Sequence, residues 1–182
     1  GKSSKDPIIA LKHMWIEKYA GGILTVANHL ASFCDQLDLI TLLGKEDSQE
    51  EFIKNSLAKN INPLFFYKDN AATIVKRRFI EMMPLTKLLE LYVMNDEKLN
   101  DKKSAEIESY LREKLPEYDL VICMDYGHGF INEKISEILA DKSKFFAVNT
   151  QANAGNIGYH TISKYKRANF ICSNEPEALL EV

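Results

Sequence analysis

The chain lacks most of the features that place a protein quickly. Its three cysteines, Cys34, Cys123 and Cys172, are odd in number, far apart and without metal-ligand spacing. All three are expected to be reduced and buried as small hydrophobes, as in a reducing cytoplasm. No run approaches the roughly 18 apolar residues of a membrane span, and no signal peptide is visible. Neither Gly-x-Gly-x-x-Gly nor Gly-x-x-x-x-Gly-Lys-Ser/Thr occurs, so the common dinucleotide and P-loop fingerprints are absent. Charge of one sign is absent too. The 23 basic and 26 acidic residues are interspersed and sum to −3, which argues against nucleic-acid binding through phosphate contacts. The basic runs Lys76-Arg77-Arg78 and Lys164-Tyr165-Lys166-Arg167 are short, and the second is expected to be a solvated face. The sequence starts Gly1-Lys2-Ser3-Ser4-Lys5 without a Met, as a processed or cut start would.

What remains is an ordinary globular composition. The 182 residues, 46% hydrophobic and 27% charged, suffice for one domain with a core. Apolar spacing predicts helices over 23–34, 49–59, 104–115, 132–140 and 157–164. Strands are expected at 38–43, 63–67, 73–81, 87–94, 119–124, 145–149 and 169–173, with a polar loop over 96–103. Leu120-Val121-Ile122-Cys123-Met124 is apolar throughout, as a strand covered on both faces should be. The alternation of strands and helices predicts right-handed β-α-β units and a parallel sheet between helical layers. Ligands bind at the carboxyl ends of such strands. That edge falls on 44–47, 125–129, 149–153 and 174–177, all rich in Gly, Asn, Asp or Glu.

Several segments could carry chemistry there. Gly21-Gly22 before a helix admits a close ligand at the helix start, or is a plain turn. Asp125-Tyr126-Gly127-His128-Gly129 ends an apolar strand in a carboxylate and a sharp glycine turn. Asp125 could accept hydrogen bonds from hydroxyls or help place a metal, while His128 reads more simply as a loop residue. Thr73, Lys76 and Arg78 form a polar stripe. The two cations share one strand face, which suits a phosphorylated or acidic ligand as well as solvent. The loop 149–156 is Asn- and Gln-rich, which suits sugars or a turn cluster equally. Asn174-x-x-Glu177 at a strand end is a place to order water around Mg²⁺.

Taken together and in this order, these segments resemble the PfkB (ribokinase-like) carbohydrate kinases. They are Gly21-Gly22, Leu43-Gly44 with Asp47, Thr73-x-x-Lys76-x-Arg78, Asp125-Tyr126-Gly127-x-Gly129 and Asn174-x-x-Glu177. They look closest to the heptose-phosphate kinase branch, the kinase half of bifunctional ADP-heptose synthases. The resemblance covers nearly the whole chain. It implies a single domain over 1–182 with a three-layer α/β/α, Rossmann-like core, a mainly parallel sheet and a small β lid within 62–95. It implies transfer of the ATP γ-phosphoryl group to a sugar or sugar-phosphate hydroxyl with Mg²⁺. Gly21, Gly22, Thr25, Lys76, Arg78, Asp125 and His128 would face the substrate, and Asn174 and Glu177 would organise Mg²⁺ and phosphate.

The departures are specific. Thr25 stands where this branch has Asn, His128 where it has Lys, and Asn149-Thr150-Gln151 where it has an Asp-Pro-Lys-like segment. The family's opening strand is not seen before Gly1. The Gly-Ala-Gly-Asp segment with the catalytic base is not seen before Val182. The expectation is therefore an incomplete fold, inactive alone, from a longer and bifunctional polypeptide that binds ATP and Mg²⁺. Strands flanking the missing parts would expose edge and favour self-association. Two rivals are a non-catalytic sugar-phosphate-binding or regulatory module and a structural domain on a retired kinase fold.

Overall fold

Helix α1 (Ile23–Leu30) sets the frame, because Leu24 and Ala27 point from one face into the core. It leads to β1 (Leu37–Glu46), α2 (Glu50–Ser56) and β2 (Ile61–Ala72), and β2 pairs parallel with β1 from Leu37↔Ile61 to Gly44↔Lys68. A hairpin follows, β3 (Val75–Met82) and β4 (Leu85–Val93), antiparallel. Then come α3 (Asp101–Lys114), β5 (Val121–Asp125), α4 (Glu133–Lys142), β6 (Phe146–Thr150), β7 (Phe170–Cys172) and α5 (Glu175–Ala178). Strands β5, β6 and β7 lie side by side and parallel. This is a computed structural model, and it describes residue 5 and residues 8–95, 97–152 and 161–181.

Side-chain alternation along the parallel strands sorts the helices into two layers. Leu39 and Leu43 of β1 and Ile61 of β2 pack with Leu24 and Ala27 of α1 and Ile53 of α2. The intervening Ile40 and Leu42, with Leu64 and Phe66 of β2, turn the other way. They join Cys123, Phe146 and Val148 against Ile107 and Leu111 of α3 and Ile135, Ile138 and Leu139 of α4. The period of two in a strand thus builds α/β/α from one sequence pattern. The protein is an α/β fold with mainly parallel strands. No helix among the described residues is long and apolar enough to cross a membrane.

Local signals fix the helix starts. Asn100 Oδ1 accepts the Lys103 amide at 2.9 Å, and Asn132 Oδ1 accepts the Ile135 amide at 2.8 Å. Each satisfies a backbone donor left open by the helix. The cap at Asn100 starts α3 at Asp101, inside the expected loop, and Asp96 lies outside the described residues.

Four expectations are corrected. Helix α1 stops at Leu30, short of residue 34. The expected helix over 157–164 is replaced at its end by a single 3₁₀ turn, Ile162–Lys164, while 157–160 lie outside the described residues. Cys34 and Cys172 are exposed and only Cys123 is buried, though none is in a disulfide. Cys34 falls past the end of α1, and Cys172 sits on β7, the outer strand of its sheet, where all three residues are exposed. Finally, β5 is not covered on both faces. It borders its sheet, so Val121, Ile122 and Met124 are only half-buried and Leu120 is exposed.

Candidate functional site

A cleft of about 2440 Å³ runs along β1 and β5, from Leu37 and Tyr118 at their amino ends to Gly44 and Tyr126 at their carboxyl ends. Gly21 and Gly22 line it from the start of α1, Lys76 and Arg78 from the hairpin, and Asp125, Tyr126 and His128 from the end of β5. Gly22 precedes α1 with φ 59°, and a Cβ there would meet the Tyr126 ring at 3.7 Å. The helix start and the Asp125–Gly129 loop therefore touch. Gly127 and Gly129 both have positive φ, 69° and 82°, a conformation that glycine adopts without steric cost. They turn the chain away just after the carboxylate.

Lys76 and Arg78 share a face of β3, opposite Tyr92 and Glu90 of β4. The Lys76 ammonium lies over the Tyr92 ring, 5.0 Å from its centroid. Burial, then the neighbouring Arg78 charge, holds the Lys76 pKa below the ordinary lysine value, with Glu90 opposing. Arg78 Nε donates to Glu90 Oε1 at 2.5 Å, and Tyr92 donates to Glu90 Oε2 at 2.8 Å. Arg78 is thus held by a carboxylate, while Lys76 rests on an aromatic face.

Asp125 is 4% exposed and heavily used. Its Oδ2 accepts from the Lys164 ammonium at 2.5 Å and from the Tyr165 hydroxyl at 2.7 Å. Its Oδ1 accepts the Gly127 amide at 3.1 Å. Lys164 also donates to the Ile131 carbonyl at 2.9 Å, and the Tyr165 hydroxyl lies 3.3 Å from Cys123 Sγ. This clasp overturns the reading of 164–167 as a solvated run. Lys164 and Tyr165 turn inward, and Arg167 donates to the Ser143 carbonyl. Only Lys166, paired with Glu137, is a surface contact.

The clasp has a pH signature. Burial pushes the Cys123 thiol up to about 12 from 9.0, against a lowering hydrogen bond from Tyr165. Burial also raises Tyr165, aided by Cys123 and Asp125. Both groups stay protonated in the fold after the unfolded chain has released its protons. Stability from them is complete below pH 9 and is lost as pH rises through the folded values. Thermal melts from pH 8 to pH 11 should show a falling midpoint with onset near pH 9, up to about 1.4 kcal/mol per pH unit for each group. Cys123→Ala should move the onset toward pH 10, and an unchanged onset would refute the assignment.

Asn174 and Glu177 sit apart, in a smaller pocket of about 320 Å³. Met124, Tyr126 and Gln151 line both spaces. Asn174 caps α5. Its Oδ1 accepts the Glu177 amide at 2.8 Å, and Glu177 Oε2 accepts the Asn174 amide at 3.3 Å. This is a capping box, which the Asn-x-x-Glu spacing also encodes. Glu177 Oε1 accepts the Ala152 amide at 3.0 Å. Both Glu177 carboxylate oxygens accept backbone amides, each with a second lone pair left over. No group of three His, Cys, Asp or Glu suited to a metal exists among the described residues.

The remaining expected residue, Thr25, does not line the cleft, and its hydroxyl donates to the Ala20 carbonyl at 2.7 Å. The structure thus gathers Gly21, Gly22, Lys76, Arg78, Asp125 and His128 and leaves Thr25, Asn174 and Glu177 outside. Sequence reasoning missed Lys164, Tyr165 and Tyr126. A basic residue beside a tyrosine after a long polar loop was the one available signal for the clasp. Part of the polar loop, 153–156, lies outside the described residues.

No family model matches the chain. Among curated proteins it is similar to the bifunctional protein HldE of Shewanella amazonensis, 24% identical over 143 residues, covering 78% of this chain and 29% of that protein. The bifunctional protein HldE of Blochmanniella floridana is 25% identical over 177 residues, 96% of this chain and 35% of that one. That of Nitratiruptor sp. is 23% identical over 186 residues, 97% and 36%. The chain spans about a third of the length of these relatives. The relation is distant.

Proposed function

We propose that this chain is the substrate-side part of a carbohydrate kinase, one that transfers the ATP γ-phosphoryl group to a hydroxyl of a sugar or a heptose-phosphate-like sugar phosphate. One observation carries the reading. A glycine-led helix start, a cationic strand face and an Asp-Tyr-Gly loop all line one cleft that runs along two parallel strands. The distant relatives bear a name that says bifunctional and are about three times as long, which supports a longer parent polypeptide. In this reading the β3–β4 hairpin is the lid over the sugar. Lys76 and Arg78 hold the substrate's phosphate, and the start of α1 gives backbone amides to its oxygens. Lys76 gains most, because an anion beside it restores the charged state that burial disfavours.

Asp125 acts here as a fastener. Its oxygens accept from Lys164, Tyr165 and Gly127, so the general-base role is not given to Asp125. ATP and Mg²⁺ would be the phosphoryl donor and the charge-neutralising ion of the intact enzyme. A non-catalytic sugar-phosphate-binding module uses the same cleft and differs only in lacking turnover in the parent.

The test is thermal shift with a panel of sugar phosphates, heptose phosphates included. A binder at a hundred times its Kd should add about 2.7 kcal/mol, a rise of roughly 5–10 °C. Lys76→Ala and Arg78→Ala should each weaken binding at least about tenfold, since a charge-assisted hydrogen bond contributes roughly 1.5–3 kcal/mol. No shift with any sugar phosphate would sink both the kinase and the binding-module readings.

A further inference from the structure

On the β3–β4 hairpin, Lys76 lies opposite Tyr92 and Arg78 opposite Glu90. Direct partners in an antiparallel pair share one face, so these four side chains stand together. They are linked in a chain. Arg78 Nε donates to Glu90 Oε1, the Tyr92 hydroxyl donates to Glu90 Oε2, and the Lys76 ammonium rests on the Tyr92 ring. Lys76, Arg78 and Tyr92 line the cleft, whereas Glu90 does not and reaches it only through its neighbours. Its bond to Arg78 uses one of the five N–H donors of a guanidinium. The Tyr92 hydroxyl, then Arg78, holds the Glu90 carboxyl below its ordinary value, and Lys87 adds a smaller attraction. The negative charge of Glu90 therefore persists through neutral pH.

A carboxylate behind a cationic face does two things. It fixes the guanidinium plane, which lowers the ordering cost of a later contact with a ligand. It also offsets charge. Lys76 and Arg78 bring two positive charges and Glu90 one negative, so the face keeps a net charge of one. The two cations are not equivalent. Arg78 shares its charge with Glu90, while the Tyr92 ring holds Lys76 in place without neutralising it. We infer that Glu90 is a specificity-determining positioning residue, which makes of Lys76 and Arg78 a cradle for one phosphate monoester and disfavours a diphosphate. The inference rests on the reading of this face as the seat of the substrate's phosphate, and it adds what kind of phosphate the face accepts. Every charge that an anion brings meets Glu90 as well as the two cations. Near a surface, repulsion between charges on neighbouring side chains and ligand changes affinity roughly three- to tenfold per charge. A diphosphate brings more negative charge to the same face than a monoester, and a face of net charge one cannot balance it.

The test is titration calorimetry of the parent chain and of Glu90→Gln with a hexose monophosphate, inorganic phosphate and pyrophosphate. Glutamine keeps an acceptor for Arg78 and a hydrogen bond to Tyr92 while it removes the charge. The parent should bind both monophosphates more tightly than pyrophosphate. Glu90→Gln should bind all three anions more tightly, by about threefold for the monophosphates and about tenfold or more for pyrophosphate. The gain should vanish in about 1 M salt, which a merely structural role for Glu90 would not produce. Unchanged or weaker anion binding by Glu90→Gln overturns the inference. So does a parent chain that prefers pyrophosphate, a result that needs no variant to fold. The two readings fail separately. If the parent binds the hexose phosphate and Glu90→Gln gains nothing, the sugar-phosphate reading stands and the role of Glu90 falls. If the anions behave as stated but the hexose phosphate binds no better than inorganic phosphate, the role of Glu90 stands and the sugar reading falls. No anion binding by either protein sinks both.

Discussion

Replacing Asp125 with alanine is expected to destabilise the fold by about 3–5 kcal/mol, the usual cost of removing one partner from a buried ion pair. Lys164, 19% exposed at its side chain, would lose its carboxylate and keep its charge. The Tyr165 hydroxyl, on a residue 8% exposed, would lose its acceptor. Lys164→Met should cost less, because its methylenes stay packed and the carboxylate keeps Tyr165 and Gly127 as donors. The double variant should be more stable than the summed losses imply, with a coupling of about 1–3 kcal/mol. Urea melts of the four proteins measure this directly. If Asp125→Ala is neutral, the clasp does not hold the fold together. If Asp125→Ala costs the full amount and the coupling is nil, the two residues act separately.

The second large effect lies at Gly44. A Cβ there would stand 2.2 Å from the Ala71 carbonyl oxygen and 2.2 Å from the Ala72 carbonyl carbon. Both are backbone atoms, so no rotamer change relieves the clash. The approach is held by Thr73, whose hydroxyl accepts the Gly44 amide at 3.0 Å and donates to the Ser48 carbonyl at 2.7 Å. Gly44→Ala should therefore cost about 3 kcal/mol, at the upper end of ordinary overpacking. It should also push the β2–β3 junction away from β1 and displace Lys76. A circular-dichroism melt within 1 kcal/mol of the parent would show that the junction is loose.

These two positions show what sequence makes visible. Short apolar runs alternating with helical patterns revealed the parallel strands, although the run over β5 overstated its burial, because β5 borders its sheet. Lys76 and Arg78 were placed on one face by strand periodicity alone. Gly44 was visible as part of the strand-end segment 44–47 but not as a contact point, since its neighbours come from 27 to 29 residues later. Cys172 was misjudged for the same kind of reason. An apolar strand at a sheet's border looks like one at its centre until the neighbours are counted. Asn174 and Glu177 form a capping box that their spacing also encodes, a local role that the cation reading had passed over. Lys164 and Tyr165 were hidden because their partner lies some 40 residues earlier in the chain, beyond any local pattern.

The hydrogen bond from Tyr118 to Asp38 joins residues 80 apart in sequence, and the Asp125 clasp spans 39 and 40. The β3–β4 hairpin and each helix, by contrast, close over short stretches of chain. Folding must meet the loop-closure entropy of the long connections before their contacts give anything back. The local elements should therefore assemble first and the cleft last, and on heating the order should reverse. A preparation can then keep its full helical ellipticity while its ligand-facing surface has already come apart. Near-ultraviolet signals from Tyr118, Tyr126 and Tyr165 are the ones that track whether that surface is assembled.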